Sequence, residues 1–202
     1  NKILVYDDSC PLCTGYTRAF VKTGFLGKEE RKPFSAIDAD LLVTIDMEKG
    51  RNEIPLIDLQ TKKVLYGIDA LLEILDRKIP LIKSIGNIKP LNFLLRKIYK
   101  LISYNRRVIV APAPKPVSCD CTPDFNIEYR IAFMLFFLLI NTAMLFPVHN
   151  YVLQKSFLAA TGVTQFQAIH FLLVTVNILV SIFIGGKRGI EYIGQVNMLA
   201  LT

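Results

Sequence analysis

Four cysteines in 202 residues fall into two close pairs, Cys10-Pro11-Leu12-Cys13 and Cys119-Asp120-Cys121. Sulfur at such spacing can exchange disulfides, hold a soft metal or carry a lipid. The first pair sits where exchange is favoured. A short apolar, β-rich run, Ile3-Leu4-Val5-Tyr6, leads into Asp7-Asp8-Ser9, and Thr14 to Val21 reads as a helix with Ser9 near its N-cap and Pro11 in the first turn. Unpaired N–H groups and partial positive charge at a helix start favour the thiolate, which is the nucleophile. Cys10, at the exposed start, is therefore the expected attacking thiol. Cys13, one turn inward, would resolve the mixed disulfide. Asp7, three residues before Cys10, is a candidate proton acceptor or orienter of a water; its plainer role is to form the turn after the strand.

The second pair leaves three readings open. Cys119 and Cys121 would form a second dithiol relaying electrons between the first pair and a membrane surface. Alternatively they complete a four-sulfur metal site with Cys10 and Cys13, because two ligands do not satisfy tetrahedral zinc. In the third reading they are juxtamembrane cysteines with no shared role, acylation included.

The elements that must position the first pair follow along the chain. Lys32 to Ile37 and Ile54 to Leu59 read as strands. Gln60-Thr61-Lys62-Lys63 is turn-like, Val64-Leu65-Tyr66 returns, and Asp69 to Leu75 is helical, with Ala70, Leu71, Ile74 and Leu75 on one face. A strand–helix–strand unit followed by a hairpin and a helix fits an α/β thioredoxin-like layer. In such a layer a proline in a cis bond opens a central strand opposite the cysteines, and Pro55 is placed to be that proline.

Over roughly residues 2–110 the sequence resembles the DCC family of thioredoxin-like proteins, named for an Asp-x-x-Cys-x-x-Cys signature. The resemblance rests on Tyr6-Asp7-Asp8-Ser9-Cys10-Pro11-Leu12-Cys13, on Tyr66-Gly67-Ile68-Asp69-Ala70-Leu71, and on the closing Ile98-Tyr99-Lys100-Leu101-Ile102-Ser103-Tyr104-Asn105-Arg106-Arg107. It departs from the usual pattern at Asp8, where Gly is common, and at Ser9, where Asp is frequent. The resemblance implies a thiol–disulfide oxidoreductase acting on a protein or small-molecule thiol or disulfide, with no cofactor.

Composition explains what surrounds this domain. The chain carries a net charge of +7, and its mean hydropathy is +0.39. Residues 1–118 hold 20 Lys/Arg against 13 Asp/Glu, whereas residues 119–202 hold four of each. Ten cations lie between Arg77 and Lys115 with no acid between Asp76 and Asp120. No nucleic-acid-binding motif accompanies that charge, so nucleic acid is not an expected partner. The recurrence of Leu91, Leu94, Leu95, Ile98, Leu101 and Ile102 at helical spacing is read as the last helix of the soluble domain with a charged face, in preference to a lipid-seeking interfacial helix.

Ile131 to Val148 and Phe166 to Ile184 are uncharged apolar runs long enough to cross a bilayer. The first helix is expected to begin near Thr122-Pro123-Asp124, with Thr122 as its N-cap. Arg106, Arg107, Lys115 and Arg130 precede the first run, Lys187 and Arg188 follow the second, and only Lys155 lies between. The positive-inside rule then puts both ends in the cytoplasm. No secretory signal opens the chain. Polar exceptions inside the runs, Asn141, Asn177 and His170, are expected to hydrogen-bond between helices. The expectation is therefore a thioredoxin-like domain over 1–107, a Pro-rich linker with Cys-x-Cys over 108–122, and a membrane region over 123–202. Its spans would lie at about 127–148 and 165–185 in a bacterial cytoplasmic membrane, with the lipid bilayer as partner. The rival readings are a membrane-tethered metal-binding module using all four cysteines and a non-catalytic docking subunit.

Overall fold

A computed structural model of the protein describes residues 2–111, 121–151, 155 and 162–199, and the chain divides into two compact units, Asn1–Asn126 and Ile127–Thr202. Cys119 and most of the Pro-rich linker lie outside the described residues.

The first unit is built on a four-stranded mixed sheet of order β2-β1-β3-β4. Strand β1 (Lys2–Tyr6) leads into helix α1 (Pro11–Lys22), and β2 (Arg31–Pro33) returns parallel to β1, Leu4 opposite Arg31. Two short helices, α2 (Ala39–Leu42) and α3 (Met47–Asn52), precede β3 (Pro55–Asp58). This strand runs antiparallel to β1, with Ile3 opposite Ile57, and pairs with β4 (Val64–Tyr66) in a hairpin. Helices α4 (Gly67–Leu75), α5 (Ile82–Gly86) and α6 (Lys89–Ile109) complete the unit. The order is consistent with the expected thioredoxin-like layer. The second expected strand is shorter than the run Lys32–Ile37: pairing ends at Pro33, and Phe34–Ala36 turns into a 3-10 helix that drops Phe34 into the core.

Side chains alternate across the sheet, as a period of two requires. Leu4, Tyr6 and Leu56 pack with Cys10, Cys13, Ala70 and Ile74 on one face. Ile3, Val5 and Ile57 pack with Phe34, Ile45 and Cys121 on the other. Gly67 opens α4 at φ +57, a conformation open to glycine at little cost, and a Cβ there would lie 2.7 Å from Glu53 Oε2. Helix α6 is tied to the rest by its own cations: Arg96 grips both oxygens of Asp69 at 2.7 and 2.8 Å, and Lys100 faces Glu53 at 3.8 Å. Part of the basic run is thus held in ion pairs within the unit.

The second unit comprises α7 (Ile127–Tyr151), α8 (Val163–Ile184) and α9 (Gly186–Leu199). Two of these, over Ile127–Met144 and Val163–Ile184, are long and apolar enough to cross a membrane, and little of either is buried inside the unit. Helix α7 starts at Ile127, five residues after the expected Thr122 cap. Asp124 does not cap it, because Asn52 and Arg51 claim its carboxylate: Asn52 Nδ2 donates to Asp124 Oδ2 at 2.5 Å, Asp124 N donates to Asn52 Oδ1 at 2.9 Å, and Arg51 lies 3.7 Å away. Helix α8 ends at Gly185 (φ +71), and Lys187-Arg188 fall in the first turn of α9. At 1.5 Å per residue this 14-residue helix reaches about 21 Å, short of a hydrocarbon core of about 30 Å. Gly189 lets it approach α8, since a Cβ there would sit 2.2 Å from the Ser181 carbonyl oxygen. Polar residues bind the helices together, as expected for Asn141 and Asn177. Tyr192 Oη donates to Asn177 Oδ1 at 2.6 Å, Asn197 Nδ2 to the Met134 carbonyl at 3.3 Å, and Asn141 Nδ2 to the Asn197 carbonyl at 3.3 Å. His170 Nε2 and Thr142 Oγ1 lie 3.3 Å apart.

Candidate functional site

The turn between β1 and α1 is organised by Asp7. Its Oδ1 accepts from Ser9 N at 3.0 Å and Ser9 Oγ at 2.6 Å, and the Cys10 N–H reaches the Asp7 carbonyl at 3.3 Å. Ser9 is thereby occupied in the turn, and the N-cap of α1 is Cys10 itself. The Cys10 sulfur accepts from Cys13 N at 3.4 Å, the place a serine oxygen takes in an ordinary cap. Pro11 follows at the first helical position, where its missing N–H costs nothing.

Both thiols are free and buried, Cys10 2% and Cys13 6% exposed. The expected exposed attacking sulfur is thus enclosed, because as the cap it points back under the first turn. Their acidities are driven apart. The Cys13 side-chain hydrogen bond pulls the Cys10 pKa from 9.0 to about 6 against the opposing effect of burial, with the Cys13 N–H and the Arg106 guanidinium adding to the pull. Donating that bond, and then burial, push the Cys13 thiol up. The arrangement favours the thiolate on Cys10 over Cys13.

Arg106 comes from the last turns of α6, 99 residues from Asp7. One of its terminal nitrogens lies 3.5 Å from Asp7 Oδ2 and donates to the Cys121 carbonyl at 2.5 Å. Tyr99, two turns earlier on α6, accepts from Ile54 N at 2.8 Å through its hydroxyl and so fixes the entry to β3. Neither residue stood out from the sequence as part of the site beyond its place in the closing motif. Nothing local marks a helix cation as the partner of a carboxylate near the chain start.

Asp7, Cys13 and Pro55 line one cavity of about 270 Å3, together with Tyr16, Ile102 and Arg106. Pro55 is buried, and its peptide bond with Ile54 is trans, against the expected cis form. Trans is the lower-energy isomer even before proline, and in this form Pro55 enters register opposite Tyr66. Cys121 packs against Ile3, Val5 and Phe34 and is disulfide-bonded, to neither Cys10 nor Cys13, which are free. Cys121 packs on the sheet face opposite that of Cys10 and Cys13, so the described residues do not gather these three sulfurs at one point. Among the described residues, no group of three or more His, Cys, Asp or Glu is arranged to hold a metal.

Residues 4–111 match the DCC1-like thiol-disulfide oxidoreductase family, more than half of the chain. The chain belongs to that family. Neither the comparison with curated proteins nor that with solved structures returned a match. Membership assigns the first unit a general thiol–disulfide redox role. Residues of the motifs that carry the resemblance have structural roles: Asp7 builds the turn, Gly67 admits the start of α4 beside Glu53, and Tyr99 and Arg106 reach from α6 to Ile54 and Asp7.

Proposed function

We propose that the protein is a membrane-anchored thiol–disulfide oxidoreductase whose working pair is Cys10 and Cys13. The observation that carries this reading is the capping geometry: the Cys10 sulfur takes the Cys13 N–H at the start of α1 and is held as a thiolate near neutral pH. The Cys10 thiolate attacks one sulfur of a substrate disulfide, whose S–S bond breaks, and the departing thiolate takes a proton from water. Cys13 then gives up its proton and attacks the Cys10 sulfur, closing the Cys10–Cys13 disulfide and releasing the second substrate thiolate. Asp7, on the wall shared with Cys13, is suited to accept that proton, with Arg106 facing the charge. Pro55 lines the same cavity, and a partner chain would lie against it.

In this reading α7 and α8 are the spans, the thioredoxin-like domain faces the cytoplasm, and the bilayer is that of a bacterial cytoplasmic membrane. The apolar outward faces of both helices and the distribution of Lys and Arg support it. Cys119 and Cys121 are a second redox pair. Support comes from the disulfide bonding of Cys121 while Cys10 and Cys13 are free, and from the bond between its carbonyl and the Arg106 that faces Asp7.

The test is trapping. With Cys13→Ser in the full chain, Cys10 attacks and cannot be released, so covalent adducts accumulate and their partners can be identified by mass spectrometry. Absence of adducts under mild oxidation would leave a docking subunit as the better account.

A further inference from the structure

Helix α6 is enclosed at one end only. Ser103, Asn105, Arg106 and Val108 near its C-terminus are buried, whereas Phe93, Leu94 and Ile98 towards its start are exposed, Phe93 by 65%. The stretch before it repeats the pattern, with Leu81, Ile85 and Ile88 exposed around α5. Leu81 and Ile85, like Leu94 and Ile98, are four residues apart and share a helix face. Asn92 Nδ2 donates to the Gly86 carbonyl at 3.0 Å and keeps the two stretches together. Leu81 stands out among these residues. It is 67% exposed at φ +71, the left-handed region that a branched side chain rarely adopts. Burial does not repay that conformation, and strain kept at an exposed apolar residue points to a contact outside the unit. Six large apolar side chains along residues 81–98 exceed the scattered singles of an ordinary wet surface.

Charge narrows the partner. No Asp or Glu occurs between Asp76 and Asp120, and Lys83, Lys89, Arg96 and Lys97 are interleaved with the apolar residues. Asp69 and Glu73, contributed by α4, are matched by Arg96 and Lys83. Lys78 gives its ammonium to the neutral Thr23 carbonyl, which leaves its charge in place. The Lys97 ammonium lies 5.5 Å from the Phe93 ring centre, so cation and ring are presented together. A second copy of this chain would set these cations against their own kind. Anionic headgroups over an apolar interior complement both the lysines and the exposed apolar side chains. Connectivity favours the same partner: in the proposed topology the chain enters its first span at Ile127, which holds this unit at high local concentration beside the bilayer.

We propose that the face carrying Leu81, Ile85, Ile88, Phe93, Leu94 and Ile98 docks on the anionic surface of the bilayer that α7 and α8 cross, with its apolar side chains among the headgroups and its lysines on the phosphates. The inference rests on the membrane-anchored reading and adds a lipid-binding surface on the thiol-bearing unit.

The chain contains no tryptophan, so a single introduced Trp is a clean reporter. The full chain is reconstituted in nanodiscs of phosphatidylcholine with or without phosphatidylglycerol. Part of the lipid is brominated near the carbonyl end of its acyl chains, which quenches Trp emission on contact. Three variants are compared: Phe93→Trp, Phe183→Trp in α8, and Val43→Trp, exposed just after α2, whose Leu41 packs on the opposite face of the sheet. Phe93→Trp should lose emission in anionic discs and Val43→Trp should not, while Phe183→Trp is quenched whatever the headgroup. Adding Lys89→Gln to Phe93→Trp should lower the ratio of quenched to unquenched protein about fivefold. An unquenched Phe93→Trp beside a quenched Phe183→Trp overturns this inference alone, and so does equal quenching of Val43→Trp. Emission from Phe93→Trp that ignores brominated lipid and shifts to the blue with more protein per disc assigns the face to a second copy, and overturns it too. An unquenched Phe183→Trp overturns the membrane-anchored reading, and this one with it.

Discussion

The two units present different kinds of side chain to their surroundings. In the first, Leu4, Val5, Leu56 and Ile57 are enclosed between helices, and most charges lie outside. In the second, Phe183 is 93% exposed and Leu139 and Ile182 also face outward, while Asn141 and Ser181 are buried and Tyr192 bonds to Asn177 between helices. Water selects the first arrangement. If α7 and α8 span a membrane as proposed, a hydrocarbon solvent accounts for the second, because apolar side chains gain nothing from leaving lipid while every polar group must find a partner inside. The contrast also bears on the thiols. A buried, helix-capping sulfur with a guanidinium nearby needs the rigid sheet-and-helix packing of the first unit, and nothing in the described part of the second offers such a setting.

Truncating one side chain in each unit should expose this difference most strongly. Leu56→Ala opens a cavity in the sheet core and should cost about 2–5 kcal/mol, read from denaturant unfolding of the first unit. Leu172→Ala, on the outward face of α8, should stay within about 0.5 kcal/mol in bilayer-reconstituted protein. Equal costs would break the comparison, since they would mean that Leu172 is packed against protein.

Arg106 offers a second test, of intermediate size. The reduced protein should show a single thiolate appearing by ultraviolet absorbance with a midpoint at about pH 6, the other thiol staying protonated above its usual range. Because the folded Cys10 pKa lies below its ordinary 9.0, the stability it contributes is complete above pH 9.0 and is lost as pH falls through about 6. Arg106→Gln removes a favourable charge from the thiolate and leaves Asp7 without its partner. The midpoint should rise, and the unit should lose about 1–3 kcal/mol. An unmoved midpoint would confine Arg106 to a structural role.

The smallest effect belongs to the second unit. Asn177→Leu removes the bond from Tyr192 and should weaken helix association by only about 0.6 kcal/mol, measured by steric trapping or unfolding in a bilayer mimic. A loss several times larger would mean that polar contacts hold this unit as strongly as the apolar core holds the first.

Much of the first unit was legible because its signals are local. Val64–Tyr66 is a strand as read, and β1 and β3 lie within a residue or two of their apolar runs. Helix α4 begins two residues early because Gly67, at positive φ, starts it. The failures came where another residue, near or far in the chain, competed for a capping group. Ser9 was drawn off by its neighbour Asp7, which left the cap to Cys10, and Asp124 was drawn off by the distant Asn52 and Arg51, which delayed α7.

The amino-acid order alone determined the cysteine spacing, the strand–helix frame around it and the two uncharged runs, because each depends on neighbours within a few residues. Only the tertiary structure decided that both thiols are enclosed, that Arg106 stands by Asp7 across 99 residues of chain, and that Arg106 shares an apolar cavity with Cys13 and Pro55. Those facts follow from how α6 packs against the strand ends. Contacts of that range leave no periodicity in a sequence, only a pair of charges whose meeting depends on the fold.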